Sequence, residues 1–306
     1  MTTIDEFKKN QKNIYSRKVN IEHLDEGLVY FEYPITLQAL KKIKFLKRLN
    51  FSAEYLFLDI GCYQGDYSRY LNKTAGIRGV GIDISQSCVN YSRKADSGKN
   101  LYVVADAEDL PFKDEIFGGV LFISSLEHSP DPKKSISEAF RVLKREEVCL
   151  LHQPVRDFKY TLQGFTHRFN PLEKNMSYQE QGHYYEKILS APELLLALRE
   201  AGFSLISSSK QGMFIQPLHD WYIMPFLSEA AFKYLKEFFS SICKIFYRKE
   251  HAQNNVVSSV DHGKVSIFRK IYSRAVLPIL EKLDFLERLL TGSKFGYCVY
   301  VSCKKN

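Results

Sequence analysis

The chain has 306 residues, 45% of them hydrophobic, enough for one large domain or two small ones around an ordinary core. Apolar runs are too short to span a bilayer, the first residues do not have the form of a secretory signal, and the six cysteines form no Cys-x-x-Cys pair; together these argue against a membrane span, export, a zinc site and a disulfide framework. The formal net charge of +8 is uneven: residues 1–50 carry ten Lys/Arg against six Asp/Glu, residues 51–209 carry 18 against 21, and residues 210–306 carry 15 against eight. The basic flanks suit an anionic membrane, a nucleic acid or simple solubility, while the middle is not a polyanion-binding surface by composition. A cytoplasmic protein with reduced thiols is the simplest expectation.

Residues 1–34 read as polar and irregular, and apolar residues at 35, 37, 40, 43, 46 and 49 then mark a helix. From Tyr55 onward, apolar runs alternate with helical patterns. Strands are expected at Tyr55–Ile60, Gly79–Ile84, Leu101–Ala105, Gly118–Ile123, Val148–His152 and Phe203–Ser208. Helices are expected at Ser68–Lys73, Ser87–Lys94, Lys134–Leu143 and Pro192–Ala201. Ser190-Ala191-Pro192-Glu193 has the form of a capping box, and Gly202 closes that helix. Such alternation predicts an α/β fold with a doubly wound, mostly parallel sheet. Val155–Leu189 and Pro217–Lys294 interrupt it, and Tyr297–Ser302 reads as a last strand. The division that follows is 1–50 as an N-terminal helical segment over the active site, 51–212 with 295–306 as the core, and 213–294 as a helical insertion or lid.

The chemistry-bearing residues fall at strand ends. Leu58-Asp59-Ile60-Gly61-Cys62-Tyr63-Gln64-Gly65 runs from a strand through a tight turn, which points backbone N–H groups and a helix N-terminus at a ligand. Alone, Gly61 and Gly65 serve a turn as readily as a ligand. The second strand ends in Asp83, 24 residues after Asp59, where an acid accepts from both ribose hydroxyls of an adenosine. The third ends in Asp106, beside Ala107, where a carboxylate can accept from an adenine amino group. Leu110-Pro111-Phe112 follows, and the fourth strand ends in Ser124-Ser125-Leu126-Glu127-His128. A dinucleotide enzyme would carry Gly-x-Gly-x-x-Gly, which this turn lacks.

These stretches, together with Arg141-Val142-Leu143-Lys144, resemble the class I S-adenosylmethionine-dependent methyltransferases, in their small-molecule "type 11" branch. The resemblance covers residues 55 to about 152 and extends to the Glu193–Phe203 helix and Gly-Phe junction. It implies a seven-stranded Rossmann-like sheet of order 3-2-1-4-5-7-6 with strand 7 antiparallel. It also implies S-adenosylmethionine as cofactor, S-adenosylhomocysteine as product, and a cofactor-binding set of Asp59, Gly61, Cys62, Tyr63, Gly65, Asp83, Ile84, Asp106, Ala107 and Ser124. Tyr63 departs from the family, which usually has a glycine there.

Methyl transfer from a sulfonium is an in-line displacement, so the protein mainly positions the acceptor and removes its proton where needed. His128 is the candidate base; its plain alternative is a histidine bonded to the backbone at a helix start. His167, His183, Tyr184 and Tyr185 would sit on the acceptor side, or pack within their loop. Leu227–Tyr247 and Phe268–Leu290 read as amphipathic helices with basic polar faces. They suit mutual packing, a dimer contact or an anionic membrane surface reached through 227–290; Trp221–Phe226 favours the last, and with it a peripheral position on the inner face of the membrane. The expected function is O-methylation of a small-molecule or glycan- or lipid-linked acceptor. The alternatives are a nucleic-acid methyltransferase and a non-catalytic scaffold. Ser-Ser-Leu-Glu-His in place of an Asn-Pro-Pro-Tyr motif counts against nucleic acid.

Overall fold

The computed structural model describes residues 4–18, 32, 34, 36–47, 54–96, 98–157, 160–162, 164–165, 188–223, 267–291 and 295–306. The expected helix Leu227–Tyr247 and the acceptor-side candidates His167, His183, Tyr184 and Tyr185 lie outside the described residues.

Seven strands form one sheet in the order β3-β2-β1-β4-β5-β7-β6. They are β1 (Phe57–Ile60), β2 (Gly79–Asp83), β3 (Leu101–Val104), β4 (Phe117–Ile123), β5 (Leu143–Pro154), β6 (Phe203–Gln211) and β7 (Cys298–Lys305). Strands β1 to β5 pair in parallel, and β7 runs antiparallel between β5 and β6. This is the expected architecture. Strands β1 and β4 are buried throughout because helices cover both of their faces. Strand β5 starts five residues earlier than its apolar run implies, because Leu143 pairs with Phe117 beyond the irregularity at Phe117/Gly119.

The helices are α1 (Ile4–Lys18), α2 (Leu37–Leu46), α3 (Asp66–Ala75), α4 (Gln86–Asp96), α5 (Pro132–Val142), α6 (Ala191–Glu200) and α7 (Leu277–Thr291). Alternate strand residues feed two cores. Val120, Phe122 and Leu151 pack with Ile136 of α5 and Leu194 of α6. Leu121, Ile123 and Leu150 pack with Ile43 and Leu46 of α2 and Leu71 of α3. Ser190 and Glu193 form the capping box reciprocally, and Gly202 takes φ +104 after α6.

One expectation is corrected: the polar stretch 4–18 is helical, not irregular. In Phe268–Leu290, Ile279, Leu283 and Leu286 of the apolar side are exposed, while Tyr272 of the same side, Leu277 and Asp284 are buried. A π-helical turn at Tyr272–Val276 shifts the phase ahead of α7. Asp284 is also held inward, because the Lys41 ammonium of α2 meets it at 2.7 Å. Among the described residues, no helix is long and apolar enough to cross a membrane.

Candidate functional site

The carboxyl ends of β1, β2, β3 and β4 open into a cleft with roughly 770 Å3 of empty space, partly open to solvent. Its position is the one where open α/β sheets bind ligands. Of the residues expected there, Gly61, Tyr63, Asp83, Ile84, Asp106, Ala107, Ser124 and His128 line it. Asp59, Cys62 and Gly65 do not. Asp59 lies beneath the turn, where its Oδ2 accepts from Ser68 Oγ at 2.9 Å and burial pushes its carboxyl up to about 7. Cys62 packs against Val89 and Tyr102. Gly65 takes φ +72 and lets the Tyr102 ring approach, since a Cβ there would lie 2.7 Å from it.

The first turn is built from left-handed residues. Gly61 has φ +73 and Tyr63 has φ +49. Tyr63 therefore holds a left-handed conformation that glycine adopts without strain, and its ring meets Tyr15 of α1 edge-on, with centroids 5.7 Å apart. Asp83 orders the same loop. Its Oδ2 accepts from Tyr63 N at 3.0 Å and its Oδ1 from Ser85 N at 2.8 Å. Each carboxylate oxygen keeps a further lone pair for a ligand hydroxyl. Burial raises the Asp83 pKa.

Sequence reading named no residue of α1 at the cleft. Lys8, Gln11 and Tyr15 line the cleft from the far side. Lys8 Nζ lies 2.6 Å from Asp106 Oδ2 and 2.9 Å from Glu108 Oε2, so the acid at the end of β3 shares its charge with an N-terminal lysine. Tyr15 Oη lies 3.0 Å from His128 Nε2. Burial pushes the Tyr15 phenol far up, which keeps it protonated beside the imidazole. A signal for the helix start is present in the sequence, since Thr3-Ile4-Asp5-Glu6 has the form of a capping box, but the polar residues that follow give little apolar periodicity to support it.

Residues 58–151 match a family model described as a methyltransferase domain. With the strand order, this decides the matter. The chain carries a class I S-adenosylmethionine-dependent methyltransferase domain. The methyltransferase domain is 31% identical over 158 residues to the ubiquinone/menaquinone biosynthesis C-methyltransferase UbiE of Rickettsia typhi, across 47% of this chain and 61% of that protein. It is 34% identical over 102 residues to the O-methyltransferase resE of Aspergillus sclerotiorum, across 32% of this chain and 39% of that protein. The chain thus spans less than two thirds of the length of these curated relatives. The geranyl diphosphate C-methyltransferase from Streptomyces coelicolor A3(2) is similar in fold, with a TM-score of 0.57 and 14% identity over 98% of both chains.

The cleft residues of the methyltransferase domain fit the donor of this class on two counts. A Cβ at Gly61 would lie 2.4 Å from Ser125 Cβ, so only glycine lets the turn and the end of β4 close together on one side of the cleft. Ser125 Oγ, which lines that cleft, is buried with no hydrogen-bond partner among the described residues. Among the described residues there is also no cluster of His, Cys, Asp and Glu that could hold a metal ion.

Proposed function

We propose that this protein transfers the methyl group of S-adenosylmethionine to a hydroxyl of a small-molecule acceptor by direct in-line displacement. The observation that carries the reading is the meeting of Asp83, Asp106, Ala107 and the Gly61 turn around one cleft at the carboxyl edge of the sheet. When bound, the donor supplies a methyl group already activated by the sulfonium charge. The chain's own residues bind and orient. Asp83 accepts from the ribose hydroxyls, Ile84 lies against the adenine, and Asp106 and Ala107 flank its amino edge. The Lys8 ammonium on Asp106 ties α1 across that end of the cleft. His128 takes the hydroxyl proton, with the Tyr15 phenol fixing its ring. Relatives that methylate oxygen and relatives that methylate carbon both support a small-molecule acceptor.

Titration calorimetry with S-adenosylhomocysteine tests the reading. The wild-type chain is expected to bind it, and Asp83→Ala to bind at least about tenfold more weakly, the loss of one or more charge-assisted hydrogen bonds. Asp106→Asn, which keeps the side-chain shape, serves as a second variant. A wild-type chain that gives no heat, or an indifferent Asp83→Ala, overturns the proposal. Fragmentation of the methylated product in a mass spectrometer separates an O-methyl from a C-methyl group.

A further inference from the structure

Beside the donor cleft the fold buries more hydrogen-bond donors than it satisfies. Lys42 of α2 is 8% exposed, and its Nζ donates to Ser124 Oγ at 2.9 Å. Among the described residues that is the ammonium's one hydrogen bond, and no carboxylate lies within 4 Å of it. Ser124 Oγ lies 3.0 Å from Nδ1 of His152, a residue 1% exposed on β5. An ammonium only donates, so the Ser124 hydroxyl hydrogen passes on to Nδ1. His152 is then the neutral tautomer that carries its proton on Nε2, and that atom is buried with no partner among the described residues. Two Lys42 hydrogens and the His152 Nε2–H are therefore left with nothing to receive them among the described residues.

Ser124 is fixed for this arrangement. It is a non-glycine residue at φ +57, a strained conformation that persists only when its surroundings impose it. Its N–H donates to the His152 carbonyl at 2.7 Å, and its hydroxyl is held between Lys42 and His152. It also lines the cleft. No carboxylate pairs with the ammonium directly, and Glu127 and Asp220 favour its charge only from a distance. Burial pushes Glu127 up to about 8, which weakens its share. Asp220 is engaged elsewhere, accepting from the N–H groups of Leu37 and Gln38 and lying 2.5 Å from His219 Nδ1. A buried ammonium with no directly bonded counter-ion is costly for a fold to hold.

We infer that Lys42, Ser124 and His152 form an oxyanion subsite behind the part of the cleft that Ser124 lines, and that the acceptor carries an anionic oxygen, a carboxylate or an ionised phenol or enol. The inference rests on the methyl-transfer reading and narrows its substrate class. An anion here gives the unfilled donors an acceptor and stabilises the charge on Lys42 that burial alone disfavours. Cationic acceptors are excluded by the same charge.

Thermal melting of the full chain at constant ionic strength tests it, with benzoate, benzyl alcohol and benzylamine as probes, each with and without S-adenosylhomocysteine. Benzoate is expected to raise the melting temperature and the other two to leave it unchanged. Lys42→Met, close to isosteric and apolar, is expected to fold and to keep its response to S-adenosylhomocysteine, while its affinity for benzoate falls about tenfold or more. Lys42→Arg is expected to keep part of the benzoate response. A benzoate shift no larger than that of benzyl alcohol, one that survives Lys42→Met, or no shift at all overturns the subsite. Failure of S-adenosylhomocysteine to shift the wild type sinks the methyl-transfer reading alone, since the benzoate arm is also read without it.

Discussion

Lys41 Nζ lies 2.7 Å from Asp284 Oδ1, and both side chains are buried. The pair joins α2, from the first fifty residues, to α7, near the end of the chain. Gln216 Oε1 accepts from the same ammonium at 2.5 Å, and its Nε2 donates to Tyr297 Oη at 2.6 Å. Close by, His219 Nε2 lies 2.6 Å from Tyr272 Oη, and Asp220 caps the first turn of α2. A polar network thus fastens the two ends of the chain behind the sheet.

Removing one member of that ion pair is expected to be expensive. Lys41→Met leaves the buried Asp284 carboxylate with the part-exposed Arg288 guanidinium, 3.2 Å from its Oδ2, as its remaining counter-charge, so the cost in urea unfolding should fall below the about 3–5 kcal/mol of an uncompensated buried charge. Lys41→Met with Asp284→Leu removes both charges and should recover most of the loss. A double variant no more stable than the single one would show that the pair is not coupled.

Gly61→Ala combines a left-handed backbone with a Cβ 2.4 Å from Ser125. It is expected to destabilise the fold by about 1–3 kcal/mol and to weaken binding of S-adenosylhomocysteine, because the turn must move away from the end of β4. Unfolding and calorimetry on the one variant read both effects.

Tyr63→Gly should behave differently. Relief of the left-handed backbone gains about 1–2 kcal/mol. Loss of the edge contact with Tyr15, worth about 0.5–1.5 kcal/mol, and the added freedom of the unfolded chain offset it. The midpoint of unfolding is expected to change little. A large loss would mean that the ring, not the backbone, holds the turn.

Glu127 predicts a pH dependence of stability. Its carboxyl is raised by burial from 4.5 to about 8, so between these values the folded chain holds a proton that the unfolded chain has released. Its contribution is full below about 4.5, falls as the pH rises, and levels off beyond about 8. Glu127→Gln should flatten that slope and be the more stable protein at pH 8, as read by unfolding across the range. A slope unchanged by the substitution would refute the assignment to Glu127.

What the residues decide by themselves is local or periodic. The alternation of apolar runs and helical patterns foretold a sheet of seven strands. Ser190 and Glu193 announced their capping box, and acids one residue beyond apolar runs marked Asp83 and Asp106 at the mouth of the cleft. Each of these signals lies within a few residues of its own effect. Which residues of α1 meet the cleft was not legible, because its polar composition gives weak periodicity. Its anchors, Lys8 on Asp106 and Tyr15 on His128, are about a hundred residues away in the chain. The buried face of α7 escaped for a related reason, since a π-turn displaces the phase and a charged pair selects the side that turns inward. Lys42, Ser124 and His152 come from α2, the end of β4 and β5. Only the packed fold brings them together, because burial and charge are properties of neighbours in space and a one-dimensional pattern records neighbours in sequence.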